Sequence, residues 1–533
     1  MKRWNGWGEE TTDYPLPESA AHFLARRLGP GLAARDAELS DVLAGVPPSR
    51  LPSHPLLDPD PEVRLRHARG QSLPDWIALR SGRIGAFPDA VAFPTSDEDV
   101  HALFDLCRVT RAHLIPFGGG TSVVGHINPT VDDIPTISAD LSRLHHLLDL
   151  DEVSHLATFE AGVRGPDLEA QLNARGYTLG HYPQSFEFST LGGWIATRSS
   201  GQQSYYYGRI EDHFAGGHVE TPIGPLDLPP VPASAAGPDL RHLILGSEGR
   251  LGVITRAVIR IRPLPQTEGF YAIFFHDWEA GTAAVREIAQ RPLSVSMLRL
   301  SDAQETETTL ALSGRERLVT WADRGLRTLS YGPQRCLLIY GVTGTRPAAA
   351  RARREAEALA RRHDGLPVGS WIGHLWHKSR FLTPYLRNTL WERGYAIDTL
   401  ETAVPWSRVL PTAAAIKAAL NACLDPLDER TLAFAHLSHV YRDGASIYLT
   451  YLFRRTADPD ETLQRWQTLK GAACRVIVEH GGTISHQHGV GLDHRAYLEH
   501  EKGAVGLELL RAACRASDPH GLLNPGKLLP DAE

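Results

Sequence analysis

The chain has 533 residues, a formal net charge of −7, 42% hydrophobic residues and 22% charged ones. That length supports a large core and several domain-sized units. The acidic balance, with no basic tail, argues against a nucleic-acid partner. No apolar run reaches the length of a membrane span, and Met1 to Pro17 holds no apolar signal region, so a cytoplasmic protein is the expectation.

Residues 1 to about 84 are rich in Pro, Arg and charge and read as a helical arm, with Glu18 to Leu28 as one helix. Trp4-Asn5-Gly6-Trp7-Gly8 places two tryptophans where they should dock on the body of the protein. Val91 to Pro94 reads as a strand, and Thr95-Ser96-Asp97-Glu98 matches a capping box ahead of a helix carrying Val100, Leu103, Phe104 and Cys107. The strand Leu114 to Pro116 then runs into Pro116-Phe117-Gly118-Gly119-Gly120-Thr121-Ser122. Consecutive glycines turn sharply and present bare N–H groups, and two hydroxyls follow. By itself the segment is either a plain turn or an anion cradle at the carboxyl end of a strand.

Short strands at 136–139 and 157–161 and a helix opened by Gly165-Pro166-Asp167 come next. Two small-and-hydroxyl stretches follow: Gln184-Ser185-Phe186-Glu187-Phe188-Ser189-Thr190-Leu191-Gly192-Gly193-Trp194 and Thr197-Arg198-Ser199-Ser200-Gly201. They suit another face of an anionic ligand, or an ordinary surface loop. A further glycine loop, Gly246-Ser247-Glu248-Gly249-Arg250-Leu251-Gly252, leads through Val253 and Ile254 into an alternating strand. None of these loops has the Gly-Lys-Ser/Thr of a nucleotide phosphate loop or a Rossmann context.

Beyond about 270 the elements lengthen. Phe270 to Phe275 reads as a strand, and Arg351 to Arg362 as a helix whose charges face solvent. Leu432 to Leu437 and Ser446 to Phe453 form a strand pair around Arg442-Asp443-Gly444. A helix through Trp466 and Leu469 ends at Gly481-Gly482, before Ser485-His486-Gln487-His488-Gly489-Val490-Gly491. A last helix reaches Ala516 and leads to Asn524-Pro525-Gly526-Lys527. Five scattered cysteines, Cys107, Cys336, Cys423, Cys474 and Cys514, read as buried reduced thiols. His486 and His488, one residue apart, project to the same side if their segment is extended. No third ligand stands near them in the sequence, so no metal is expected.

Taken together, Pro-Phe-Gly-Gly-Gly-Thr-Ser, Gly-Ser-Glu-Gly-Arg-Leu-Gly and Asn-Pro-Gly-Lys resemble the FAD-binding fold shared by vanillyl-alcohol oxidase and p-cresol methylhydroxylase. Within it, Trp-Asn-Gly-Trp-Gly, Ser-Phe-Glu-Phe-Ser-Thr-Leu-Gly-Gly-Trp, Glu401-Thr402-Ala403-Val404-Pro405-Trp406 and Ser-His-Gln-His-Gly-Val-Gly resemble the alkyldihydroxyacetonephosphate synthase family over nearly the whole chain. The resemblance implies an α+β protein: a helical arm at 1–84, a two-subdomain FAD-binding domain at 85–265, an α+β cap at 266–465 and a C-terminal segment at 466–533. It implies FAD contacts from Pro116 to Ser122, Gln184 to Thr190, Thr197 to Ser200 and Glu248 to Ile254. Some relatives attach the flavin through a histidine in the glycine loop. Thr121 and Ser122 stand there instead, so non-covalent FAD is expected.

The family reaction has no net redox change. The carbon bearing the acyl group of an acyl dihydroxyacetone phosphate loses a proton and a fatty acid and gains a fatty alcohol. The resemblance casts Arg387 as the phosphate-binding residue, Tyr448 as the proton donor and acceptor, and Arg299, His486 and His488 as further catalytic residues. Read from the residues alone, the arginines are ordinary ion-pair partners and Tyr448 a core tyrosine. Gln487 departs from the family, which has a histidine there, and a glutamine does not titrate. Peripheral membrane contact and a homodimer are also expected. The alternatives are a FAD-dependent oxidase or dehydrogenase of a 2-hydroxy acid or alcohol, and a flavin binder without catalysis.

Overall fold

The structure, a computed structural model, describes residues 1–33, 35–312 and 323–530. It is an α+β protein built on three main sheets. The smallest has four strands in the order Leu57–Asp58, Ala90–Ala92, Thr136–Asp140 and His113–Phe117; the last three run parallel. Helix Asp97–Thr110 makes the crossover between two of them, burying Val100, Leu103, Phe104 and Cys107. Its cap lies one residue later than the capping-box reading: Ser96, not Thr95, accepts from the N–H of Asp99 at 3.2 Å. Thr95 is taken up by the Asp99 carboxylate, at 2.8 Å to both N and Oγ1.

The second sheet is antiparallel, with the order Leu147–Asp151, Leu156–Glu160, Val253–Arg260, Phe214–Thr221 and Gly224–Leu228. The third has seven strands: Leu366–Pro367, Thr267–Phe275, Cys336–Gly344, Val295–Ser301, Thr431–Leu437, Gly444–Arg454 and Tyr395–Pro405. The helices Trp278–Ala289, Arg346–Arg361, Trp406–Ala422 and Pro459–Glu479 cover one face of this sheet and form the largest core with it. In the arginine-rich helix, Ala349, Ala352, Ala356, Leu359 and Ala360 are buried, while Arg351 and Arg353 pair with Glu355 and Glu357. The five cysteines are free, and all but Cys423 are buried.

On the other face of the seven-stranded sheet, helices cover the two ends. Helix Trp371–Ser379 packs Ile372 and Trp376 on Phe270, Ala272 and Phe274 at one end. Helix Glu18–Leu28 packs Phe23 and Leu24 on Leu432, Phe434 and Leu452 at the other. A strand alternates its side chains, so the residues facing the gap between these two coverings follow from register. They are Arg299, His436, Tyr448 and Glu401, with His436 and Glu401 both opposite Tyr448 in the ladder. These polar residues form one strip, in which Glu401 and His436 are buried.

The N-terminal arm ties the units together. Trp7 is buried and stands edge-on to Phe188 at 5.6 Å. Its backbone exchanges two hydrogen bonds with the Asn388 side chain, at 3.1 and 3.0 Å.

Candidate active site

The glycine loop leaves the carboxyl end of strand His113–Phe117. Gly118 and Gly119 lie so close to Thr190 and to the Phe188 carbonyl that a Cβ on either would collide, and Gly120 has φ +67°. These glycines are therefore required by close approach and a left-handed turn. The loop is steadied from outside by Lys2, whose Nζ donates to the Gly119 carbonyl at 2.7 Å, and by Ser122, whose Oγ is 2.8 Å from His126 Nδ1.

Thr190 caps helix Leu191–Thr197 by accepting from Gly193 N at 3.3 Å, and Ser189 Oγ accepts from Trp194 Nε1 at 2.7 Å. Phe186 stacks on Phe381, with centroids 5.3 Å apart. Gln184 Nε2 donates to the Arg380 carbonyl. Burial pushes the Glu187 carboxyl up. Arg198, at φ +53°, ends the helix before Ser199 and Ser200. Glu248 turns its carboxylate to the C-terminal loop and accepts from the N–H groups of Val490 and Gly491 at 2.5 and 2.8 Å. Arg250 donates to the Leu523 carbonyl at 2.6 Å. Leu251, Val253 and Ile254 are core residues. The loops named from the sequence are thus brought together, and Glu248 and Arg250 also anchor the chain's last turns.

Around the polar strip, Tyr448 stacks on His436 (4.8 Å, 17°) and meets His488 edge-on at 5.8 Å. Arg299 donates to Glu305 at 2.7 Å and to Ser301 at 3.0 Å, and lies 3.3 Å from His436 Nδ1. Burial raises the Glu305 carboxyl, but Arg299 and His436 outweigh it and hold it down at about 2. Burial likewise pushes the Tyr448 phenol up, so at neutral pH it is a proton donor rather than a standing base. Burial pushes the His488 imidazole down to about 4, leaving it neutral.

The loop carrying His486 and His488 is not extended, so the same-side projection fails. Neighbouring His486 and Gln487 both reach Glu401, while His488 faces Tyr448. Glu401 is fully buried and accepts from Gln487 Nε2 and Ser438 Oγ, each at 2.6 Å. Burial opposes its ionisation, but His486 and His439 hold its carboxyl well below the usual range.

Arg387 lies over the Trp76 ring at 4.3 Å and donates one hydrogen bond to the Gln71 carbonyl at 2.5 Å. Its Nε and second terminal nitrogen are buried with no partner, and burial lowers the guanidinium to about 10. Asp493 was not singled out in the sequence; burial raises its carboxyl to about 7 against the pull of Lys470. Lys527 Nζ is buried without a hydrogen-bond partner, and burial followed by Arg250 pushes it down to about 7. Tyr448, His488, Arg387 and Asp493 lie deep in the fold yet each keeps part of its surface uncovered.

These observations test the fit of a flavin dinucleotide. Its pyrophosphate needs N–H groups and cations; the glycine loop supplies the first, and the buried Lys527 Nζ, which has no hydrogen-bond partner, supplies the second. The residues fit FAD. Thr121 and Ser122, neither of them a histidine, follow the three glycines.

Comparison with known proteins agrees. Residues 88–226 match the family described as "FAD binding domain", and residues 264–528 match "FAD linked oxidases, C-terminal domain". An alkyldihydroxyacetonephosphate synthase of Dictyostelium discoideum is 30% identical, over 99% of this chain and 93% of that protein. A solved alkyldihydroxyacetonephosphate synthase superposes with TM-score 0.84 at 28% identity, covering 99% of each chain. The p-cresol methylhydroxylase structure shares the fold alone, with TM-score 0.65 at 15% identity over 96% of each chain.

Proposed function

The chain belongs to the alkyldihydroxyacetonephosphate synthase family and takes FAD as cofactor, and from that membership we propose that it exchanges the acyl group of an acyl dihydroxyacetone phosphate for a long-chain alcohol. The observation that carries the reading is Arg387. It is a buried guanidinium with two unpartnered donor nitrogens, beside the strip that holds Tyr448, His488 and Glu401. A planar fork of N–H donors suits a phosphate, and burying it unpaired is costly.

In this reading Arg387 fixes the substrate phosphate. Neutral His488 takes a proton and Tyr448 gives one. Arg299, held by Glu305, keeps His436 flat against the phenol. Bound flavin supplies the electrophilic ring that makes exchange at the ketone-adjacent carbon possible. Gly118 to Ser122, Ser189, Thr190, Ser199 and Ser200 hold it without a covalent bond. No helix among the described residues is long and apolar enough to cross a membrane, and a lipid substrate points to peripheral contact with a membrane surface. A homodimer in a cytoplasmic setting completes the proposal.

The test is incubation of the purified yellow protein with acyl dihydroxyacetone phosphate and hexadecanol under nitrogen. Ether lipid and free fatty acid, formed without an electron acceptor, support the exchange. Flavin bleaching by 2-hydroxy acids with no ether formed would instead support an oxidoreductase.

A further inference from the structure

Among the described residues, Glu401 has no arginine or lysine in hydrogen-bond contact, although its carboxylate is fully buried. What faces it is Ser438 Oγ and Gln487 Nε2 at 2.6 Å, His486 Nδ1 at 3.3 Å and His439 Nε2 at 3.9 Å. The serine and the amide are neutral donors. Of the two ring nitrogens facing the charge, His486 Nδ1 is the nearer; its contact is an ion-pair distance outside hydrogen-bond alignment, and the atom has no other partner. The other His486 nitrogen, Nε2, lies 2.5 Å from the Tyr441 hydroxyl. The backbone reinforces this placement: His486 N donates to the Glu401 carbonyl at 3.0 Å, and Arg209 donates to the His486 carbonyl at 2.9 Å.

Carboxylate, imidazole and hydroxyl thus stand in a row. In such a row the carboxylate decides which nitrogen carries the proton, and hence whether the other can act as a base. Tyr441 and His439 border a cavity of about 600 Å³ that opens toward the surface and is also lined by Gln202 and Arg209.

We propose that Glu401 is a positioning residue that holds the His486 proton on Nδ1, and that His486 Nε2 and Tyr441 form the acid–base pair taking up the proton released in turnover. The proposal rests on the exchange reaction proposed above, which releases one proton. The alcohol O–H breaks, its oxygen forms the new C–O bond, and the acyl oxygen leaves as carboxylate with its electron pair. The Tyr441 oxygen takes that proton as its own moves to His486 Nε2. The resulting imidazolium is paired with Glu401, and the proton returns to water through the cavity.

The row also accounts for Gln487. Its amide donates to Glu401 without carrying charge, so Glu401 is left to a single neighbouring ring on this loop. The charged and titratable groups around His486 are Glu401 from strand Tyr395–Pro405, His439 and Tyr441 from the turn after Thr431–Leu437, Arg209 with Glu211 from the FAD-binding side, and His488 on its own loop. Burial pushes His439 down to about 3 and Tyr441 up to about 12, so neither carries charge at neutral pH.

The first measurement needs no substrate. In the FAD-loaded protein with 15N-labelled histidine, the signal lost in His486→Gln is assigned to His486. It should show the Nδ1–H form, and Glu401→Gln should abolish that form while FAD stays bound. An Nε2–H form in the unsubstituted protein would overturn the proposal, whatever the reaction is. In the ether-forming assay, Glu401→Gln should lower kcat by about 10²–10⁴-fold. KM for the phosphate substrate should hold, and Glu401→Asp should restore part of kcat. Tyr441→Phe should cost a similar factor, and the double variant should fall no further than the worse single one. Independent, multiplying losses would refute the pair. Absence of any ether from the unsubstituted enzyme would refute the exchange reaction and leave the histidine measurement to decide on Glu401.

Discussion

Replacing Arg387 by methionine should weaken substrate binding without weakening the fold. The side chain spends one nitrogen on the Gln71 carbonyl and lies on Trp76, while two donor nitrogens are buried unpaired. Charge-assisted hydrogen bonds contribute about 1.5–3 kcal/mol each. Two of them to a phosphate amount to about 3–6 kcal/mol, or a rise in KM of about 10²–10⁴-fold. In the substrate-free protein the balance differs. The variant loses one hydrogen bond and a cation–π contact, about 1–3 kcal/mol together, but it also removes a buried, unpaired cation whose cost is of the same order. The midpoint of thermal unfolding should therefore hold or rise. The assays are KM for acyl dihydroxyacetone phosphate and calorimetry of the same preparation. A KM within twofold of the parent, or unfolding several degrees earlier with KM unchanged, would show that Arg387 is a structural ion and not a phosphate ligand.

Tyr448→Phe should keep FAD and lose turnover, by about 10²–10⁴-fold for a general acid–base group; near-parent kcat would remove its role. Acid precipitation should leave all flavin in the supernatant, because neither Thr121 nor Ser122 can form the histidyl bond; a yellow pellet would contradict this. Lys527→Met should stabilise FAD-stripped protein at pH 7. The folded ammonium is lowered from 10.5 to about 7, so protonation favours the unfolded chain, fully below about pH 7 and not at all above about 10.5. The gain, a few kcal/mol at most, should shrink as pH rises through that window in denaturant titrations. A gain that does not vary with pH would refute the assignment.

The glycine and hydroxyl loops that we assign to the flavin could be named because each is a contiguous string with a distinct composition: glycine where chains touch, hydroxyls beside it. Gly119 against Phe188 shows why the first loop cannot carry a side chain. Arg387 was nameable from its motif, but its two idle nitrogens appear only once Trp76 and Gln71 surround it. Glu401, His436, His439 and Tyr441 were beyond sequence reading. They meet through strand register and through a loop that brings Gln487 back to Glu401 across 86 residues, and a carboxylate in a strand gives no hint of its partners. The paired histidines misled for the same reason: alternation holds in a strand, and theirs is a coiled loop.

Oxygen-18 in the alcohol tests the exchange reaction most directly. With 18O-hexadecanol and unlabelled acyl dihydroxyacetone phosphate, mass spectrometry should find the label wholly in the ether oxygen and none in the released fatty acid, with the flavin still oxidised. Label in a hexadecyl ester of the fatty acid would mean attack at the acyl carbonyl, and unlabelled ether or a bleached flavin would equally contradict the account.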